Sequence, residues 1–205
     1  MFLHTPTFKK LLKNAYSTGG FVVGDDTEND IVVFGSWWGV WFDKCNIPNR
    51  IKAAIMEYAG ELPAPGQYFR ACIGQANQYE IDQEKYFRLT ERWREATNPL
   101  YVTAALISGK LNNYRVMQDA CGHLITMKDT YEKLIDPREM DPDKEGSVMG
   151  PCTMAYAGTS GHIPSTVFWR TELCILMMCT SRLESKEDIE ILKALENINF
   201  EAFTK

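Results

Sequence analysis

The chain is poor in the residue groupings that announce a reaction. Its three histidines, His4, His123 and His162, are far apart and show neither H-x-x-x-H nor H-E-x-x-H spacing. A zinc site would therefore need ligands gathered from distant segments, and no metal is expected. There is no G-x-x-x-x-G-K-[ST], and Gly19, Gly20 and Gly24 do not form G-x-G-x-x-G at a strand-to-helix turn, so no nucleotide cofactor is expected either. The six cysteines contain no C-x-x-C pair, and most lie in apolar runs such as Leu173-Cys174-Ile175-Leu176. That usage suits buried free thiols in a reducing cytosol, and a cytoplasmic location is expected. No apolar run approaches the ~20 residues of a helical bilayer crossing, and Met1 to Pro6 show no basic segment followed by an apolar one, so neither a membrane partner nor a secretory signal is expected. Positive charge is also in deficit. Lys and Arg number 22 against 27 Asp and Glu, a net charge of −5 over 205 residues. A wholly nucleic-acid-binding surface is excluded, which leaves room for a local basic face.

What is present is strong periodicity. Phe8, Leu11, Leu12, Ala15 and Tyr16 fall on one helical stripe, ended by Gly19-Gly20, with Lys9, Lys10 and Lys13 off the stripe. Phe21 to Val23 and Asp30 to Phe34 read as a hairpin across a polar loop, and Ser36 to Asp43 as a third strand. Pro48 opens a second helix whose stripe is Ile47, Ile51, Ala54, Ile55 and Tyr58, and Gly60 closes it. A strand over 67–73 follows. Tyr86, Leu89, Trp93 and Ala96 then share a helical face that Asn98-Pro99 stops. The second half reads as strands over 100–107, 114–117 and 123–126, a short helix over 128–135, a polar loop to Gly146, a strand over 148–156, a turn at 158–161 and a strand over 173–180. Ser185 with Asp188 three positions on is an N-cap signature for a last helix carrying Ile189, Leu192 and Leu195.

The expected fold is α+β, with antiparallel sheets from β-hairpins covered by amphipathic helices. Helix, hairpin, helix and strand occur in both halves, which suggests two similar units, 1–80 and 81–183, followed by a helix and tail at 184–205.

Candidate chemistry is sparse. Ser160 in Gly158-Thr159-Ser160-Gly161-His162 lacks the G-x-S-x-G frame, and a glycine-rich turn accounts for it better than a nucleophile does. Asp25-Asp26 and the 136–145 loop lack the spacing of a calcium loop and read as solvated carboxylates. No catalytic residue is assigned. Trp37, Trp38 and Trp41 crowd into five residues, either as core or as a recognition surface. Lys9, Lys10 and Lys13, with Arg92 and Arg94, form either solvated faces or phosphate-tracking ones.

From Tyr131 to Leu183 the order is short helix, loop, a strand opening with Gly150-Pro151, a turn, and a closing apolar strand ending Met178-Cys179-Thr180-Ser181-Arg182-Leu183. This resembles the last domain of bacterial DNA sliding clamps, whose closing strand ends V-M-P-M-R-L; here the Arg-Leu end is kept while the proline and second methionine are not. The resemblance covers about a quarter of the chain. It implies helix-plus-sheet units with sheets outward and helices toward a DNA channel, sequence-independent phosphate contacts, and a ring that closes by self-association. It also implies a groove for short partner peptides beside Met178, Arg182 and Leu183. Family chains have three domains and end at Arg-Leu, whereas this one has room for two and continues into a helix and a tail in which Phe200 and Phe203 could serve as aromatic anchors.

The expectation is thus a non-enzymatic cytosolic binding protein with a protein partner, conceivable as a clamp-like accessory of DNA metabolism. The alternatives are an inhibitor or adaptor of a phage or mobile element that blocks a host protein such as a nuclease, and a small hydrolase using Ser160, His123 or a cysteine.

Overall fold

The computed structural model describes residues 2–25, 29–79, 88–139, 146–154 and 166–200. The elements are α1 (Thr5–Thr18), β1 (Phe21–Gly24), β2 (Asp30–Phe34), β3 (Trp38–Asp43), α2 (Asn49–Ala59), β4 (Tyr68–Ala71), α3 (Leu89–Glu95), β5 (Asn98–Ser108), β6 (Asn113–Asp119), β7 (Leu124–Lys128), β8 (Met149–Thr153), β9 (Thr166–Thr171), β10 (Cys174–Cys179) and α4 (Lys186–Leu195). Short 3₁₀ turns follow β7 at Asp129–Leu134 and Pro137–Glu139.

Among the described residues ten strands join one sheet in the order β4-β1-β2-β3-β10-β9-β8-β5-β6-β7, and every neighbouring pair is antiparallel. Because strand side chains alternate between faces, two separate cores form. On one face, Phe21, Val23, Ile31, Val33, Trp38, Val40, Phe42, Leu176 and Met178 pack with Phe8, Leu12 and Ala15 of α1 and Ile51, Ala54 and Ile55 of α2. Met117, Ile125 and Met127 of β6 and β7 close on the same core, so the sheet curls around the two helices. On the other face Val22, Val32, Phe34, Phe168, Ile175 and Met177 pack with Leu89 and Ala96 of the α3 segment. A third cluster, Ile107, Tyr114, Val116 and Leu124, lies under Leu192 and Leu195 of α4.

The α+β architecture with a mostly antiparallel sheet is as the periodicity implies. The boundary drawn at residue 80 falls inside one sheet and one core, because β3 pairs with β10 from Trp38↔Met178 to Phe42↔Cys174. Strand β9 was not legible in the sequence; its first face is filled by Val167 and Trp169 and its second by Phe168, so alternation of polar and apolar residues is lost. The helix expected over 128–135 is a 3₁₀ turn. The helix expected between 82 and 97 is described only from Leu89, and the 158–161 turn lies outside the described residues.

Local signals act where the sequence places them. Gly60 ends α2 in the left-handed region at φ 80°, where only glycine is unstrained. The Ser185 hydroxyl accepts the Asp188 N–H at 3.0 Å and caps α4. Gly39 stands opposite Phe34 in the β2–β3 ladder, and a Cβ there would lie 2.5 Å from the Phe34 ring. The glycine between Trp38 and Val40 is thus the space that lets Phe34 lie across the strand.

Phe8 ties α1 to the sheet, with its ring edge-on to Trp38 at 5.8 Å and to Phe42 at 6.0 Å. Phe8→Ala is expected to cost about 3–5 kcal/mol of stability, the range for a buried phenylalanine. Urea unfolding measures it, and a loss below about 1 kcal/mol would mean that α1 is not part of the core.

Candidate functional site

The residues singled out by sequence do not form one site. Trp38 and Met178 are corrections: their relative exposures are 2% and 0%, and both are locked into the α1–α2 core by the β3–β10 pairing, so neither can touch a partner. Trp41 is half-buried on the opposite face, among Ile175 and its neighbours. Leu183 and Phe200 pack against the cluster beneath α4. Phe203 and Ser160 lie outside the described residues.

The five cations are split by the sheet. Lys9, Lys10 and Lys13 are exposed on α1, which packs on one face, and Lys9 is ion-paired with Glu57 of α2 at 2.5 Å. Arg92 and Arg94 are on α3, which packs on the other face, where the Arg92 guanidinium sits 5.9 Å from the Phe168 ring centroid. A single channel cannot be lined by both sets, because a covered sheet lies between them.

Two surface regions bring functional groups together. The first is a groove of about 660 Å³ lined by Lys110, Leu111 and Tyr114 from the β5–β6 hairpin, Lys128 at the end of β7, and Arg182, Glu184 and Asp188 leading into α4. Its floor is held by backbone pairing of the segment after β10 to β7: Ser181 N–H donates to the Thr126 carbonyl at 2.8 Å, and the Thr126 hydroxyl donates to the Ser181 carbonyl at 2.5 Å. Beside it Trp37 is 49% exposed, with its carbonyl accepting the Cys179 N–H at 2.8 Å, and the Lys128 ammonium lies 5.7 Å from its ring centroid. Leu111 at the hairpin tip is 85% exposed. Of the sequence-based candidates, Arg182 lines the groove and Trp37 stands beside it under Lys128; Leu111, Lys110 and Lys128 were missed, since a leucine in a turn carries no periodic signal.

The second region is the β6–β7 turn, Asp119-Ala120-Cys121-Gly122-His123. The Asp119 carboxylate is 1% exposed and templates the turn. One oxygen accepts the backbone N–H groups of Cys121 at 2.9 Å and His123 at 2.8 Å; the other is 2.9 Å from His123 Nδ1 and accepts Asn98 Nδ2 at 3.2 Å. Burial pushes Asp119 upward, but the hydrogen bonds from the His123 side chain, its backbone N–H and Asn98 outweigh it and hold the carboxyl below its ordinary range. Cys121, His123 and Asp119 offer ligand atoms within 4.8 Å of one another. No metal was expected from the sequence, where a zinc site would need ligands from distant segments; this D-x-C-x-H grouping has neither H-x-x-x-H nor H-E-x-x-H spacing. By contrast burial raises the Cys174 thiol, and it raises Cys152 and Cys179 as well, which makes these three poor nucleophiles.

Asp25, read as a solvated loop carboxylate, is fully buried and ion-paired with Lys44, which bridges the β1–β2 and β3–α2 connections.

No known family model matches the chain, and no curated protein matches it in sequence.

Since the folded Asp119 carboxyl titrates below its ordinary value of 3.8, its contribution to stability is complete above that value and is lost as pH falls through the folded one. Asp119→Ala leaves the two backbone donors unpaired and is expected to cost about 2–3 kcal/mol at neutral pH. The deficit should shrink between pH 4 and the acid limit of folding, as the wild-type carboxyl protonates; a pH-independent deficit would show that the charge is not what the turn uses. Urea unfolding across that pH range measures both quantities.

Proposed function

We propose that the chain is a non-enzymatic binding protein whose partner is an acidic, leucine- or aromatic-anchored peptide segment of another protein, taken in the groove between the β5–β6 turn, β7 and the start of α4. The observation that carries this reading is Trp37, half-exposed under the Lys128 ammonium at the side of a groove that also holds Arg182, Lys110 and the projecting Leu111. Exposed tryptophan and arginine are the residue types that dominate binding energy at protein interfaces. Three cations in one groove of a chain whose net charge is −5 make a local positive field, which favours a partner of negative charge. Glu184 and Asp188 on the α4 side give the groove two polarities, so a peptide would lie with its acidic residues toward Lys110, Lys128 and Arg182. An inhibitor or adaptor would use such a surface directly. The clamp reading shares the peptide groove beside Arg182, but its DNA channel is opposed by the division of Lys9, Lys10 and Lys13 from Arg92 and Arg94 across the sheet.

Panning a displayed peptide library on the purified chain tests this. Enriched peptides are expected to be acidic with one or two large apolar residues, and to be retained about tenfold less by Trp37→Ala and by Arg182→Glu, both of which should keep the wild-type unfolding midpoint. Basic enriched peptides, or retention unchanged in both variants, would overturn the groove assignment. Salt-sensitive retention on circular duplex DNA that is lost on charge reversal of Lys9, Lys10 and Lys13 would replace it with the clamp reading.

A further inference from the structure

We propose that the segment Glu201-Ala202-Phe203-Thr204-Lys205 of one copy of this chain docks in the peptide groove of a second copy, so that another molecule of the chain supplies the peptide. This rests on the groove reading given above and names its occupant. Residues 201–205 lie outside the described residues, and the chain is described up to Phe200.

The groove supplies three kinds of contact. Lys110, Lys128 and Arg182 are its cations, and none of them is in an ion pair among the described residues. Leu111 and Tyr114 are its apolar side chains, with Trp37 at the rim under the Lys128 ammonium. Glu184 and Asp188 are its carboxylates, on the α4 side, and they too are in no ion pair among the described residues. Unpaired charge of both signs beside exposed apolar surface favours an occupant with an acid at one end, a base at the other and a large apolar residue between.

The tail has that pattern. Glu201, Phe203 and Lys205 alternate with Ala202 and Thr204. An extended backbone puts every second side chain on the same side, about 6.6 Å apart, so the acid, the ring and the base face the groove together while the two small residues face away. In this register Glu201 meets the cations, the Phe203 ring lies against Leu111 and Tyr114, and Lys205 meets Glu184 and Asp188.

A chain cannot place its own tail in this register. Phe200 packs in the cluster beneath α4, and its N–H donates to the Gln118 side chain at 2.9 Å. Gln118 is about 13 Å along β6 from Tyr114, at ~3.3 Å per residue, and Leu192 and Leu195 of α4 cover the cluster between them. Glu201 stays within about 4 Å of Phe200, one Cα step, and so remains far from Lys128, which pairs with Tyr114 and holds its ammonium over Trp37. The occupant is therefore a second copy. One tail and one groove per chain make the contact heterologous, and copies add in reciprocal pairs or head to tail.

Analytical ultracentrifugation of the whole, reduced chain tests this. The weight-average mass is expected to rise above that of a single chain between about 10 μM and 1 mM, the affinity range of a contact made by few residues. High salt should weaken the rise. Glu201→Lys and Phe203→Ala should each raise the dissociation constant about tenfold or more, with the unfolding midpoint kept. A mixture gives the sharpest readout. Arg182→Glu has a damaged groove and an intact tail, and Phe203→Ala has the reverse. At the concentration where the wild type is half associated, each variant alone should stay a single chain, and an equimolar mixture should form complexes of two chains and none larger. A wild type that stays single throughout the range, a mixture that stays single, or association that persists in both variants would overturn the proposal. If the wild type stays single while acidic displayed peptides are still retained through Trp37 and Arg182, only the occupant falls; if those peptides are not retained either, the groove assignment falls with it.

Discussion

Pairing of β3 with β10 is the constraint on which the rest of the molecule depends. It joins residues 140 positions apart, Trp38 with Met178, and puts strands from the beginning and the end of the chain at the centre of one sheet. Closing so long a loop costs entropy that grows only as the logarithm of its length, and the buried apolar surface on both sides of the ladder repays it. Trp38, Val40 and Phe42 with Cys174, Leu176 and Met178 fill one face, while Trp41 with Ile175 and Met177 fills the other. Both faces are used. Everything that distinguishes one side of this protein from the other follows from the parity of these two strands.

That parity has functional consequences. It buries Trp38 and leaves Trp37, one residue earlier and in the turn, to project at the rim. It places α1 and α3 on opposite faces, and so separates cations that a sequence treats as one population. It also brings the segment after β10 against β7, where Ser181 and Thr126 exchange hydrogen bonds and carry Arg182 to the side of Lys128 and Tyr114. The groove is thus a product of the closing of the sheet around α1 and α2, rather than of any local motif.

The β6–β7 turn is built differently. A single buried carboxylate, satisfied by two backbone donors and two side chains, holds five consecutive residues in one conformation. Such a turn needs little from the rest of the fold beyond Asn98, and the C-terminal segment pinned by Gln118 adds a wall to it. Carboxylate-backed presentation of a thiol and an imidazole is what gives this surface chemical character, in contrast to the buried thiol of Cys174 and the half-buried ones of Cys152 and Cys179.

Read alone, the sequence determined the elements whose signals are local: α1 and α2 from their 3.6-residue stripes, the hairpins from alternating strands around polar turns, the end of α2 at Gly60 and the start of α4 at Ser185. These depend on neighbours three or four residues away, and so leave a trace in composition. Tertiary structure alone decided the membership of β9, whose residues are apolar on both faces because both faces are covered, and the burial of Trp38 and Met178, which a partner strand 140 residues away imposes. It alone decided as well that Leu111, Lys128 and Arg182 share a groove, and that Asp119 turns inward while Cys121 and His123 turn outward. Contacts between distant segments cost nothing to write in a sequence and leave no periodicity behind, since each residue records its own preference and not the identity of what will be folded against it.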